Sequence, residues 1–367
     1  MRCTFALLGF LATAAAIAQE PPLSQLPTGA AALEPSAGTT SFRFVVAGDN
    51  RPASKCDGLT APLVAIVQDL VAKPPAFVLW DGDTIYGKDV KRSPDQYTQF
   101  LGAFAKLPSP VFNAPGNHEM TLPANSCDID GKTERIDEPD PSGGLSAIYT
   151  KMMAQEYGVF RYGNSAFIAI NTDDRIDFNF QTNCQYNGYI GEAQIAALTS
   201  TLASLSADAD VQHIFVFMHR PIHDPTDSAI GPLGGDGTTP YAQRLDQFLN
   251  VFKNAGVQYP KLDVVFASHH HLLYVYPKPE HAKGPFTLPK NGPLYIVTGG
   301  AGAPLSGCKK GKLKKGAFYH YLTVEVDGAK VKVKVKEIDI TPVCPPAASH
   351  CQLARPEPAR NAAQREM

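Results

Sequence analysis

The sequence predicts an α/β protein built on parallel strands, and three observations carry that expectation. Apolar runs of strand length alternate with stretches of helical spacing through the first third of the chain. Several of these runs stop at a polar residue beside glycine or proline. Near the end, a pair of alternating runs meets at Asp327-Gly328, a hairpin pattern.

In chain order, Phe42 to Ala47 reads as a buried strand that stops at Gly48-Asp49. Leu59 to Val71 has helical spacing. Ala76 to Trp80 is a second strand, ending at Asp81-Gly82-Asp83. Gln96 to Leu107 is helical, and Pro110 to Ala114 is a third strand before Pro115-Gly116-Asn117. Strand, helix, strand, helix, strand implies parallel pairing with helical crossovers. Residues 120–145 form an insertion rich in Asp, Glu, Pro and Gly. Val159 to Tyr162 and Ala166 to Asn171 form a hairpin about Gly163-Asn164, followed by a long loop to Gly191 and a helix to about Leu205. Val211 to Met218 is a strand ending at His219, and Tyr241 to Ala255 is helical. Leu262 to Ala267 is a strand ending before His269, His270 and His271. Leu272 to Tyr276 and Leu294 to Thr298 are further strands. Tyr319 to Val326 and Lys330 to Ile338 form the last hairpin, with Val331, Val333 and Val335 on one face and lysines on the other.

The 367 residues are 44% hydrophobic and 19% charged, which is a globular composition. A net charge of -2 leaves no broad basic face for general nucleic-acid binding. Arg2, the apolar run Phe5 to Ala18 and the small-residue end Ala16-Ile17-Ala18 describe a secretory leader over 1–18, too short to span a bilayer. Cleavage is expected before Gln19, the alternative being an uncleaved anchor. No later segment is apolar enough to cross a membrane, so the expectation is a soluble protein, secreted or periplasmic. Residues 19–40 read as a linker, 41–340 as one catalytic domain and 341–367 as a Pro/Ala-rich tail. Without Cys3, six cysteines remain, and an even number in an oxidising compartment suggests disulfides. Cys344 with Cys351 would pair locally. Cys127 with Cys184 would tie the two long insertions together, leaving Cys56 with Cys308.

Asp49, Asp83, Asn117, His219, His269 and His271 all follow strands. Sites in open α/β sheets lie beyond the carboxyl ends of the strands, so these residues would gather at one edge. Two carboxylates, three imidazoles and an amide oxygen favour zinc, manganese or iron over calcium. That is more than one tetrahedral site needs, and suggests two ions about 3.5–4 Å apart.

The blocks around these positions resemble those of the calcineurin-like metallophosphoesterases. Gly48-Asp49-Asn50-Arg51 matches the first block in part. Gly82-Asp83-Thr84-Ile85-Tyr86 matches GDxxY, and Gly116-Asn117-His118-Glu119 matches GNHE. Val216-Phe217-Met218-His219 matches VxxH. Ser268-His269-His270-His271 matches GHxH, with Ser for Gly. The resemblance implies a four-layer αββα sandwich of the metallophosphoesterase type, two central sheets with helices outside. It implies that Asp83 bridges two metal ions. Asp49 and His271 would hold the first, and Asn117, His219 and His269 the second. His118 would not bind metal but would stand by the leaving oxygen as charged donor or general acid. The ions would turn a bound water into hydroxide and neutralise the phosphate oxygens.

Two departures follow from the same comparison. Many members carry Asp-x-His in the first block, where this chain has Arg51. Tyr86 could fill the missing ligand position, because GDxxY supplies a phenolate in the purple acid phosphatase branch and phenolate suits Fe(III). The other reading of Tyr86 is a buried ring donating a hydrogen bond. Arg51 is then either a fork onto substrate phosphate or one half of a structural ion pair with an insertion carboxylate. His270 should point away from its two neighbours. His223 could reach substrate. Lys309 to Lys315 could steer a polyanion or form a solvated loop, and the Gly299–Ala303 run lacks the spacing of a P-loop.

The sequence-level expectation is therefore an exported dinuclear-metal phosphatase acting on a phosphorylated small molecule, with Fe, Zn or Mn and with phosphate monoesters as the substrate class. Its rivals are a phosphodiesterase for nucleotides or lipid head groups and a binding protein on a decayed scaffold. A di-iron carrier is disfavoured by the absence of Glu-x-x-His helix pairs. Oligomeric state is not legible.

Overall fold

The computed structural model describes residues 38–54, 57–87, 89–120, 141–153, 155–174, 190–223, 240–277, 285–308 and 311–342, together with Leu23 and Cys344. Two six-stranded mixed sheets lie face to face. The first contains β1 (Ser41–Ala47), β2 (Val78–Trp80), β3 (Val111–Asn113), β9 (Phe286–Thr287), β11 (His320–Asp327) and β12 (Lys330–Glu337), in the order β3-β2-β1-β11-β12-β9. The second contains β4 (Gly158–Tyr162), β5 (Ser165–Ile170), β6 (His213–Met218), β7 (Leu262–Ala267), β8 (Leu273–Tyr276) and β10 (Leu294–Thr298), in the order β4-β5-β6-β7-β10-β8. The β1-β2-β3 set is parallel, as is β5-β6-β7-β10, which aligns the carboxyl ends of strands within each set.

The alternation in these strands explains the layers. One set of side chains, from Phe44, Phe77, Phe112, Phe160, Phe167, Phe215 and Phe266, fills the space between the sheets. Phe44 and Phe77 stack at 5.2 Å, and Phe44 meets Phe167 edge-on at 5.2 Å. The opposite faces hold helices. α1 (Ala61–Ala72) and α2 (Ser93–Ala103) cover Val45, Val78 and Trp80 with Leu63, Ile66 and Phe100. α5 (Glu192–Ala207) and α6 (Pro240–Lys253) cover Ile168 and Val216 with Leu198, Leu202 and Phe248. The result is the four-layer αββα sandwich.

The differences from the sequence reading have local causes. α2 begins at Ser93 and ends at Ala103, because Pro94 suits a first helical turn and Phe104 to Lys106 leave as a turn. A short helix α3 (Asn117–Met120) starts on the GNHE block, and α4 (Pro141–Met152) emerges from the insertion. A second short helix, α7 (Ala255–Gln258), follows α6. Leu23 is buried in the cluster under α5, and its N–H donates to Thr201 Oγ1 at 2.8 Å. No helix among the described residues is long and apolar enough to cross a membrane.

The cysteine pairing is corrected. Cys308 is bonded to Cys344, with Cα atoms 5.2 Å apart and a sequence separation of 36. That excludes the expected Cys56–Cys308 and Cys344–Cys351 bridges, because each cysteine has one sulfur to give. Chain proximity misled here: β12 carries the chain back beside the loop after β10, so two residues far apart in sequence meet. Cys56, Cys127, Cys184 and Cys351 lie outside the described residues.

At the end of the sandwich where β6 begins, His213 joins the two layers. Its Nδ1 bonds Asp263 Oδ2 on β7, and its Nε2 bonds the Gly328 carbonyl in the β11–β12 turn at 2.7 Å. Two acceptors require both ring nitrogens to donate, which only the imidazolium can do. Burial pulls the His213 pKa down, but the Asp263 carboxylate and Gly328 carbonyl outweigh it and hold it above the usual value. The sign follows: this contribution is complete below the unfolded histidine pKa of about 6.5 and is lost as pH rises through the raised folded value. Wild-type protein is therefore expected to lose urea resistance between pH 6 and pH 9, and His213→Gln to show a shallower loss. Equal slopes in the two proteins would remove His213 from the pH dependence.

Candidate metal centre

The motif residues meet where the aligned strands end. Asp49 follows β1, Asp83 follows β2 and Asn117 opens α3 after β3. His219 follows β6, while His269 and His271 follow β7. The loops are knitted by backbone hydrogen bonds: Asp49 N to Gly82 O at 3.0 Å, Arg51 N to Asp83 O at 2.9 Å and Ser268 N to His219 O at 2.8 Å. Asp49, Asp83 and His269 take φ of 60°, 51° and 67°. Left-handed backbone costs a non-glycine residue about 1–2 kcal/mol, and such outliers gather at functional sites. Gly82 and Gly116 are needed where two loops cross. A Cβ on Gly82 would stand 2.7 Å from Gly116 N and 2.9 Å from His219 Nδ1.

Two groups of side chains result. Ligand-type atoms of Asp49, Asp83 and His271 all lie within 4.8 Å of one another. His271 Nε2 is 3.6 Å from Asp49 Oδ1. In the second group, His219 Nε2 is 3.0 Å and His269 Nδ1 is 3.1 Å from Asn117 Oδ1, and the two imidazole nitrogens are 3.1 Å apart. Asp83 Oδ1 is 3.3 Å from His219 Nε2, so Asp83 stands between the groups. His219 Nδ1 donates to the Asp81 carbonyl at 2.9 Å and His271 Nδ1 to the Pro304 carbonyl at 2.6 Å. Each bond fixes the tautomer and turns the Nε2 lone pair into the site.

The electrostatics suit cations. Both oxygens of Asp49 are buried without a hydrogen-bond partner. Burial, and then the adjacent Asp83, push the Asp49 pKa well above the usual range. Burial also opposes charge on Asp83, but His219, His118 and Arg51 outweigh it and hold that carboxyl well below its usual value. Burial lowers the pKa of His219 and His269, and takes His271 down to about 3, so these imidazoles are neutral and able to bind metal. An unpartnered buried carboxylate, a second carboxylate held ionised and three neutral imidazoles fit a pair of divalent ions.

The remaining candidates surround these groups. Arg51 Nε donates to Asp83 Oδ2 at 3.1 Å, so among the described residues its ion pair is with the central carboxylate; the carboxylates of residues 121–140 lie outside them. His118 bonds the Tyr86 carbonyl through Nδ1, and its Nε2 lies 3.9 Å from Asp83 Oδ2. The Tyr86 ring stands edge-on to His118 at 5.5 Å. His270 packs edge-on to His269 at 5.4 Å. His223 stacks on Tyr276 at 3.7 Å and meets Tyr295 edge-on at 4.5 Å, and burial lowers its pKa to about 4. It belongs to an aromatic cluster rather than to the two ligand groups.

Sequence reasoning gave no role to three residues that shape the centre. Glu119 is buried and accepts hydrogen bonds from Asp83 N, Thr84 N, Thr84 Oγ1, Ile85 N and Gly116 N. Its place in the GNHE block was the available clue. Asp173 forms a buried pair with Arg220, from Nε to Oδ2 at 2.9 Å and from Nη2 to Oδ1 at 3.0 Å, and Arg220 Nη1 approaches His269 Nε2 at 3.4 Å. Asp173 follows β5 just as the ligand residues follow their strands, a pattern that could have found it.

An αββα sandwich with two ligand groups sharing one carboxylate is the architecture of a dinuclear metallohydrolase. The chain belongs to the calcineurin-like phosphoesterases, a family of metal-dependent phosphoric ester hydrolases whose profile matches residues 42–273. Two solved structures share the fold. One is a purple acid phosphatase, PPD1, from yellow lupin (Lupinus luteus) seeds, 16% identical with a TM-score of 0.55 over 83% of this chain and 52% of that one. The other is a dimetal phosphatase from Danio rerio, 16% identical with a TM-score of 0.52 over 82% of this chain and 97% of that one. This chain thus spans about half the length of the lupin protein. No curated protein matches it in sequence.

Proposed function

We propose that the protein is an exported dinuclear-metal phosphatase that hydrolyses phosphate monoesters. The observation that carries this reading is the shared Asp83 between two ligand groups, one of which contains the unpartnered Asp49 carboxylate. Asp49, Asp83, His271 and Tyr86 would hold the first ion, and Asp83, Asn117, His219 and His269 the second. Bound there, two ions supply Lewis-acid charge for the phosphate oxygens and acidify a water.

The chain's own groups do the rest. Arg51, partly exposed beside Asp83, presents a guanidinium fork to a phosphate oxygen. His118 donates its Nδ1–H to the Tyr86 carbonyl, which aims Nε2 at the site, and as the imidazolium it would give its Nε2 proton to the leaving oxygen. The leader over 1–18 directs export, and amino-terminal sequencing of exported protein should begin at Gln19.

A panel of phosphomonoesters, phosphodiesters and nucleotides, assayed with Mn, Zn or Fe, tests the reading. Monoesters should be turned over at least about tenfold faster than diesters. The reverse order would make the protein a diesterase, and two bound ions without turnover would make it a binding protein.

Tyr86 carries a separate test. Iron-loaded, oxidised protein should be coloured by phenolate-to-Fe(III) charge transfer, and Tyr86→Phe should bleach it while sparing the second ion. Colour unchanged in Tyr86→Phe would return the ring to a packing role against His118.

A further inference from the structure

The loop after β10 is built around the first ligand group. Ala301 N donates to Gly48 O at 3.1 Å and Ala303 N to Asp49 O at 2.7 Å, which fixes the left-handed turn at Asp49. The Pro304 carbonyl accepts His271 Nδ1–H at 2.6 Å, and Ser306 N donates to the His271 carbonyl at 3.0 Å. Asp49 and His271 therefore both take part of their orientation from residues 301–306. The second group is oriented from elsewhere, His219 by the Asp81 carbonyl and His269 beside Arg220.

What anchors this loop is in part covalent. Ala301, Ala303 and Leu305 are buried, Leu305 within the cluster that packs on α1. The loop then reaches Cys308, where it is bonded to Cys344, beyond β12. Cys308 is 4% exposed, whereas Cys344 is exposed. The bridge thus joins the carrier of the first ligand group to the segment leaving the first sheet, at a place a reductant can reach. The family profile ends at residue 273, before this loop begins.

We propose that the Cys308–Cys344 bridge licenses the first ion site, so that the chain binds its first ion tightly only after the bridge has formed. This rests on the dinuclear reading given above. In a reducing compartment a dithiol would pass two electrons and two protons to the bridge, giving two thiols while closing its own disulfide. The loop would keep its apolar side chains and its hydrogen bonds to Gly48, Asp49 and His271 but lose its covalent anchor, and the orientation of Asp49 and His271 would loosen. The second ion would stay. A chain exported through an oxidising compartment would complete its metal centre there and not before.

The test uses the full-length protein stripped of metal and titrated with Zn²⁺ against a chromophoric chelator. Wild type should bind two ions, and His271→Ala identifies the step that belongs to the first. In Cys308→Ala/Cys344→Ala the first step should weaken by about 10–100-fold, the range for losing a group that orients a ligand, with the second step within about twofold. Two unchanged steps would overturn the proposal. Equal weakening of both steps would also overturn it, by making the bridge a general brace. Wild type that binds no Zn²⁺ would overturn the dinuclear reading as well. Should the double variant fail to fold, Leu305→Ala, with the bridge intact, loosens the same loop and should weaken the first step selectively. An unaffected first step in Leu305→Ala would refute the loop's role.

Discussion

Asp83→Asn is expected to abolish turnover, by at least about 10³-fold, and to release most bound metal while the protein stays folded. The argument joins backbone to charge. Asp83 sits at φ 51°, a conformation that asparagine tolerates as well as aspartate does, so the substitution adds no backbone strain. Removing the charge relieves Asp49 and Glu119 but weakens the bonds Asp83 accepts from Arg51 Nε at 3.1 Å and His118 N at 3.0 Å, so some stability is lost without unfolding. The amide, however, offers one neutral oxygen where the carboxylate presents two, with Oδ1 toward His219 and Oδ2 toward Arg51. His118→Ala is the contrast. The His118 side chain approaches Asp83 Oδ2 only at 3.9 Å, and its 3.0 Å bond to Oδ1 comes from the backbone N–H that alanine keeps, so that variant should keep its metal and lose about 10²–10⁴-fold in turnover. Asp83→Asn with full metal content and near-normal activity would refute the shared-carboxylate assignment. Metal loss in His118→Ala would make His118 a ligand.

How much of this was legible in the sequence depends on which physical effect placed each residue. The fold was legible because buried strands must be apolar and must stop. Asp49, Asp83, His219 and His269 stand one to three residues beyond such stops, and parallel pairing brought them to one edge. Arg51 was legible as a departure, but not its partner, since pairing with Asp83 depends on how the first two loops cross. The surroundings of His223 were not legible for a related reason. Four residues beyond His219 the chain has already turned onto Tyr276 and Tyr295, and spacing along a loop carries no direction. The Cys308–Cys344 bridge could not be read because it depends on where β12 returns the chain. Glu119 was in view within GNHE, yet its role lies in five donors, four of them backbone or side-chain groups of Asp83, Thr84 and Ile85 in another segment and the fifth Gly116 N of its own block.

Glu119→Gln is accordingly expected to be more damaging to the fold than Asp83→Asn, although Glu119 itself need not touch an ion. Oε2 accepts from Asp83 N at 2.9 Å and Gly116 N at 2.6 Å, while Oε1 accepts from Thr84 N at 2.8 Å, Thr84 Oγ1 at 3.0 Å and Ile85 N at 3.2 Å. Burial and the nearby Asp83 raise the Glu119 pKa to about 7, and these hydrogen bonds work to keep the carboxylate ionised. Glutamine keeps one acceptor oxygen and points an amide NH₂ where the other stood. Whichever way it turns, two backbone N–H groups lose their acceptor and face a donor. Each buried unsatisfied group costs about 1–3 kcal/mol, so a loss of about 3 kcal/mol in unfolding free energy is expected, read by urea denaturation of the metal-free protein. Those N–H groups belong to the segment that carries Asp83 and to the turn that precedes Asn117. Their displacement should therefore weaken both ions together, unlike the selective effects of Tyr86→Phe or of the loop variants. Glu119→Gln with wild-type stability and two tightly bound ions would show that the loop crossing is held by packing, with the carboxylate a bystander.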